Sequence, residues 1–134
     1  MVETQRQMSP GRLNMSGAAH DFPQPSASQA GALLTEVNDF LRRVSTVQRQ
    51  HGLAPDELLT FLALGRLALS VSTIGVTVRP VKCAELSVWM KSPKETVRRR
   101  LSRLADRGLV TMTKRGAMLG KVDEWVHVAS SIAS

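Results

Sequence analysis

Residues 92–110, SPKETVRRRLSRLADRGLV, leave little choice of conformation. Val97, Leu101, Leu104 and Ala105 recur at i, i+4, i+7 and i+8, the spacing that lines one side of an α-helix. Ser92 suits the N-cap, Pro93 the first helical position, and Glu95 completes an S-x-x-E capping box, while Gly108 suits the left-handed residue that closes a helix. A helix is therefore expected over about 93–107. Its apolar stripe is narrow and its cations are many, so it can be stable only against a core supplied by the rest of the chain.

On a wheel of about 100° per residue, Arg99 lies opposite the apolar side, close to Glu95, Thr96, Ser102 and Arg103, and Arg98 and Arg100 flank it. The three consecutive arginines are expected to do different jobs. The chain has 134 residues and a formal net charge of +7. Ten of its eighteen basic residues (Lys91, Lys94, Arg98, Arg99, Arg100, Arg103, Arg107, Lys114, Arg115 and Lys121) fall between 91 and 121, where the only acids are Glu95 and Asp106. Such a local surplus favours a polyanionic partner.

Upstream, residues 1–30 carry Ser, Gln, Pro and Gly without periodicity and are expected to form a disordered arm. Residues 31–52 read as a helix. Leu33, Val37, Phe40, Val44 and Val47 recur at spacings 4-3-4-3, with Leu34 and Leu41 alongside. Two heptads do not define a coiled coil, so two destinations remain for this stripe: a second subunit, which would make these five residues a homodimer interface, or the chain's own core. A second helix follows in APDELLTFLALGRLALS, with Pro55 at its first position and Asp56 and Glu57 at the positive end of its dipole. Its leucines lie nearly all round, which implies burial on several sides.

Residues 58–78 have about the length of a bilayer span. Arg66 near the middle, costing roughly 2.5 to 3.5 kcal/mol on insertion, and the group Ser70, Ser72, Thr73 and Thr77 argue against a membrane. GVTVRPV reads as a short extended piece. VKCAELSVWM reads as a short helix with Ala84, Leu86, Trp89 and Met90 inward. After Gly108, LVTMTKRGAMLGKVDEWVHV reads as two β-segments around a basic, Gly-containing loop. Lys114, Arg115 and Lys121 then form either a wing at the DNA backbone or minor groove or an ordinary exposed hairpin tip. The expected fold is mainly α with a small β-hairpin: a winged helix-turn-helix over 53–130 with an N-terminal helical extension. A helix fits the major groove, cations neutralise phosphates, and Arg bonds guanine bidentately, so double-stranded DNA is the expected partner.

AELSVWMKSPKETVRRRLSRLADRGLV resembles the helix-turn-helix of bacterial winged-helix transcription regulators. The K-E-T-V-R-R portion is nearest to the Crp/Fnr type, whose recognition helix usually reads R-E-T-V-x-R. The arrangement upstream, two helices and a short strand, is closer to the MarR type. The resemblance covers roughly residues 55–128 in architecture and is specific over 84–110. It implies that Lys94, Glu95 and Arg99 touch base edges, and that Thr96 with Arg98 or Arg100 meets phosphates; the wheel presents Glu95 and Arg99 independently. Arg103 and Ser92 flank the same face. The family's turn usually has Gly followed by an apolar residue. Here Lys91 and Ser92 stand there, so the turn is shaped differently or Lys91 adds a phosphate contact. A cyclic-nucleotide barrel and the acidic, arginine-rich wing motif of MarR proteins are both missing, so no effector is carried over.

Rival readings use the same residues. The basic face can serve a protein-interaction module or an RNA or replication-associated binder, and Glu95 can be only a cap or a partner for Arg99. Catalysis is not expected: His20, His51 and His127 have no metal-ligand spacing, no Gly-rich phosphate loop is present, and no nucleophile has an evident base. Neither metal nor cofactor is expected. Cys83, the single cysteine, is expected to be a structural thiol, and Trp89 and Trp125 core residues. No basic n-region with an apolar stretch opens the sequence, so the expected address is cytoplasmic.

Overall fold

Ser26 and Gln29 start the first helix. The Gln29 amide N–H donates to Ser26 Oγ at 3.1 Å and the Ser26 N–H donates to Gln29 Oε1 at 3.0 Å, a reciprocal cap that satisfies two otherwise unpaired donors. In the computed structural model, which describes residues 24–133, α1 therefore spans Ala27–His51, starting earlier than the sequence pattern suggested. Most of the expected arm, residues 1–23, lies outside the described residues. The chain divides into a first unit ending at Asn38 and a second from Asp39. In the first, residues 31–38 are all exposed.

The second unit holds the rest of α1, then α2 (Pro55–Ala68), β1 (Leu69–Ser72), β2 (Gly75–Val78), α3 (Cys83–Met90), α4 (Lys94–Asp106), β3 (Val110–Thr113), β4 (Gly116–Leu119) and α5 (Val122–Ala133). It is mainly helical with two small antiparallel hairpins. Pro55 opens α2 as expected, and the Ala54 N–H donates to Glu57 Oε1 at 2.9 Å, half of a capping box whose other half alanine cannot supply. Phe61 and Leu64 of α2, Leu86 of α3, Leu101 and Leu104 of α4 and Val128 of α5 are fully buried together. Each contributes roughly 1.5 to 3 kcal/mol by leaving water. Val47 belongs to this core as well, fully buried by its own chain, and Val44 packs at its edge. Val47 therefore drops out of the expected dimer interface, since no surface remains for a partner.

Three stretches differ from their sequence reading. α2 stops at Ala68, and the next residues form the β1–β2 hairpin in the register Leu69↔Val78, Val71↔Val76. Period-two alternation in LSVS and GVTV on either side of Thr73-Ile74 was the available signal; the leucine-rich run before it masked the change of period. Leu69 and Val78 pack on the core, whereas Val71 (82% exposed) and Ile74 (92%) extend past it. Second, the basic β-hairpin ends at Leu119, and DEWVHV is helical, in α5. Lys121 thus precedes α5 and lies outside the hairpin loop. Third, Trp89 and Ala84 face solvent, because the inner side of α3 is taken by Cys83, Leu86 and Met90 at 3-4 spacing. Trp125, as expected, packs on the core: its indole N–H donates to the Phe61 carbonyl at 3.0 Å. Gly65 makes that approach feasible, as a Cβ there would lie 2.0 Å from Trp125 Nε1.

Val81 joins β4 through a single antiparallel bridge, with N–H···O bonds of 2.8 Å in both directions to Ala117. Gly116 is required beside it. Its φ of 135° suits glycine, and a Cβ would meet the Val81 carbonyl oxygen at 2.5 Å.

Candidate nucleic-acid interface

The link from α3 to α4 sets how the basic helix is presented. Lys91 takes the left-handed conformation (φ 55°, ψ 45°), and the Ser92 N–H donates back to the Ser87 carbonyl at 3.1 Å, closing α3 as a glycine would. The turn therefore forms with a lysine where a glycine would be unstrained, at a cost of about 1 kcal/mol for a side chain in that region. The expected capping box does not form. Pro93, extended at φ −58° and ψ 143°, is the N-cap of α4, so Ser92 stands one residue too early. Its hydroxyl donates instead to the Met90 carbonyl at 3.4 Å, and its carbonyl accepts from Ser87 Oγ at 2.5 Å.

The three consecutive arginines separate clearly. Arg98 closes on Glu95 one turn earlier through two hydrogen bonds, Nε to Oε1 at 3.1 Å and Nη2 to Oε2. That bond is the main reason the Glu95 carboxyl is held below its ordinary pKa. Arg100 turns inward, its side chain 20% exposed, with Nε 3.3 Å from Asp56 Oδ2 at the start of α2. Arg99 is exposed and has no acidic partner among the described residues. The expected pairing of Glu95 with Arg99 is thus replaced by Glu95 with Arg98.

Arg103 and Arg107 share the fate of Arg100. Arg103 Nε lies 3.1 Å from Glu57 Oε2 and its Nη2 lies 3.5 Å from Asp56 Oδ2. Arg107 Nη2 stands 3.7 Å from Glu57 Oε1, and its Nη1 donates to the Gly52 carbonyl. Glu57 is buried, so these arginines neutralise a carboxylate that would otherwise be costly to keep from water. By sequence alone Asp56 and Glu57 are only helix-dipole residues. Their separation from the arginines by more than forty positions hid the network, in which Arg100 and Arg103, two of the residues expected at the DNA backbone, pair with acids of α2.

What remains without an acidic partner among the described residues is a narrower set: Lys91, Lys94 and Arg99 around the start of α4, Lys114 and Arg115 at the β3–β4 tip, and Lys121 beyond it, all exposed. The tip is fixed by Thr113, whose hydroxyl donates to the Gly116 carbonyl at 2.7 Å and accepts the Arg115 N–H at 3.1 Å. Thr96 is half-buried. Cys83 lies beside this region, Sγ 3.4 Å from the Lys94 carbonyl, and burial pushes its thiol pKa up despite the opposing pull of Lys94 and Arg98. A raised pKa keeps it a thiol and a poor nucleophile.

Two further features were not foreseen. Val88 and Trp89 (54% exposed) leave an apolar strip on the outer side of α3. His51 and His127, distant in sequence, bring their rings to 5.7 Å in an edge-on arrangement, with His51 Nδ1 3.2 Å from Glu124 Oε2. Among the described residues no three His, Cys, Asp or Glu side chains gather as a metal site, and no helix is long and apolar enough to cross a membrane. Compared with protein families, with characterised proteins and with solved structures, the chain matches none.

Proposed function

We propose that this protein is a sequence-specific double-stranded DNA-binding regulator of the winged helix-turn-helix class, with α3 and α4 as the helix pair and β3–β4 as the wing. The observation that carries the reading is the sorting of charge along and just beyond α4: acids neutralise Arg98, Arg100, Arg103 and Arg107, while Lys94 and Arg99 have no acidic partner among the described residues, where a helix would enter a groove. In this reading Arg99 bonds a base edge, guanine O6/N7 being its usual target, with Lys94 beside it. Lys91, Lys114 and Arg115 meet phosphates. The reading takes the protein to act in the cytoplasm and to pair through α1, reading a near-palindrome with half-sites about one helical turn apart.

Selection of bound duplexes from a random pool tests it. A short enriched motif, lost on Arg99→Ala, is expected; a pool that stays random after several rounds would contradict sequence reading. A second reading, a winged-helix interaction module, is favoured by one feature, the exposed Val88 and Trp89 strip on α3. Under that reading Trp89→Ala abolishes partner binding and leaves duplex affinity unchanged.

A further inference from the structure

We infer that the outer edge of β2 pairs antiparallel with β2 of a second copy, Val76 opposite the partner's Val78, so that the two β1–β2 hairpins form one four-stranded sheet. The contact lies wholly within the unit that begins at Asp39, and it is independent of the DNA-binding reading and of pairing through α1. Residues 69–78, LSVSTIGVTV, hold no charged side chain in a chain of net charge +7. Alternate residues share a face of a strand, so the register Leu69↔Val78, Val71↔Val76 gathers four apolar side chains on one face and leaves Ser70, Ser72 and Thr77 on the other. Leu69 and Val78 pack on the core, but Val71 and Val76, the outer half of the apolar face, are 82% and 57% exposed. A hairpin of two strands is marginal in water by itself and is steadied by further strands.

The backbone decides which edge is open. The Arg79 N–H donates to the Ala68 carbonyl at 2.9 Å, so by antiparallel alternation Ser70 bonds Thr77 and Ser72 bonds Gly75, and the N–H and C=O of Val76 and Val78 point away from β1. None of those four groups has a backbone partner among the described residues. In the basic hairpin the equivalent residue, Ala117, has both groups taken by Val81 at 2.8 Å, and Lys114 and Arg115 stand at the tip. The β1 edge is poorer, because the Leu69 N–H already donates to the Gly65 carbonyl. Setting Val76 against the partner's Val78, and the reverse, satisfies all four groups of each copy. Setting Val78 against the partner's Val78 would bring Pro80, which has no N–H, into the ladder, and setting Val76 against the partner's Val76 would reach into the turn at Ile74. The two-fold axis stands perpendicular to the sheet, so the apolar faces of both hairpins lie on the same side. A neutral edge offers a polyanion or an acidic peptide nothing to pair with, whereas two copies of a basic chain can meet there without opposing charges. Arg79, the nearest cation, is held by Glu85 at 2.5 Å.

The axis passes beside Thr77, which therefore faces the partner's Thr77 on the exposed polar side, and that self-contact supplies the test. Sedimentation equilibrium is run without DNA on the full chain carrying Leu34→Lys and Leu41→Lys, which remove any pairing through α1. Up to about 0.5 mM protein it should show a weak, reversible dimer, since four hydrogen bonds and a few valines fall short of the roughly 1,200 Å² of a stable contact. Thr77→Lys and Thr77→Glu should each weaken that dimer about tenfold, because like charges then stand directly opposite. An equimolar mixture of the two should restore it. If either variant loses its folded signal by circular dichroism, Thr77→Cys in a Cys83→Ser background runs the same test. Facing residues of that kind lie about 4.5 Å apart at Cα, within disulfide reach, so mild oxidation should link two chains, whereas Ser70→Cys, one strand further in, should stay unlinked. A chain that stays monomeric over that range, charge variants without effect, a mixture that fails to recover, or no preference of linking for Thr77→Cys over Ser70→Cys would each overturn the proposal.

Discussion

Lys94 and Arg99, in the first half of α4, have no acidic partner among the described residues, whereas Arg100, Arg103 and Arg107, in and just beyond the second half, face Asp56 and Glu57 at 3.1 to 3.7 Å. In the sequence the two groups look alike. The difference lies in what α2 presents to each. Its N-terminus carries two carboxylates, one of them buried, and the arginines that pack against it become part of the fold. A basic helix is therefore better described by the charge left after internal pairing than by the charge written in its sequence.

Breaking the paired end has the largest expected effect. Arg103→Ala removes the closest partner of buried Glu57 and should cost about 3 kcal/mol in urea unfolding, with the salt dependence of duplex binding unchanged. Breaking the unpaired end should do the reverse. Arg99→Ala is expected to leave the melting temperature where it is and to cost 1 to 3 kcal/mol, read as lost discrimination at one base step in competition between duplexes.

Smaller effects sharpen the same contrast. Lys91→Gly relieves the left-handed side chain and should stabilise the fold by roughly 1 kcal/mol in thermal unfolding, and on the proposed reading it should also cost one phosphate contact. Lys114→Ala, at the hairpin tip, should weaken all duplexes alike and lower the salt slope by about one, with the smallest change in affinity at working salt. A sequence-dependent loss from Lys114→Ala would move base reading to the wing.

Helical periodicity made α1, α2 and α4 legible, and Pro55 and Gly108 placed an end of two of them. Gly108, at φ 76°, does close α4, with the Leu109 N–H reaching the Leu104 carbonyl at 3.1 Å. Short-range chemistry was read less well. The sequence offers S-x-x-E at Ser92 and S-x-x-Q at Ser26, yet only the second closes, since Pro93 shifts the start of α4 by one residue. GVTVRPV is extended as expected, as β2, but its partner β1 was hidden by the leucines before it, and α5 by its nearness to the basic hairpin. Arg99 was singled out correctly as exposed from the helical wheel alone. The inward pull on Arg100 and Arg103 was not visible, because it depends on α2 packing across α4, a contact that no local pattern encodes.

The most direct test compares Arg98→Ala, Arg99→Ala and Arg100→Ala side by side, each measured by thermal unfolding and by affinity for the selected duplex against a scrambled one. The account predicts that Arg99→Ala alone loses discrimination, that Arg100→Ala alone loses stability, and that Arg98→Ala changes both little. Arg99→Ala unfolding the protein, or Arg100→Ala losing discrimination with its melting temperature intact, would contradict it.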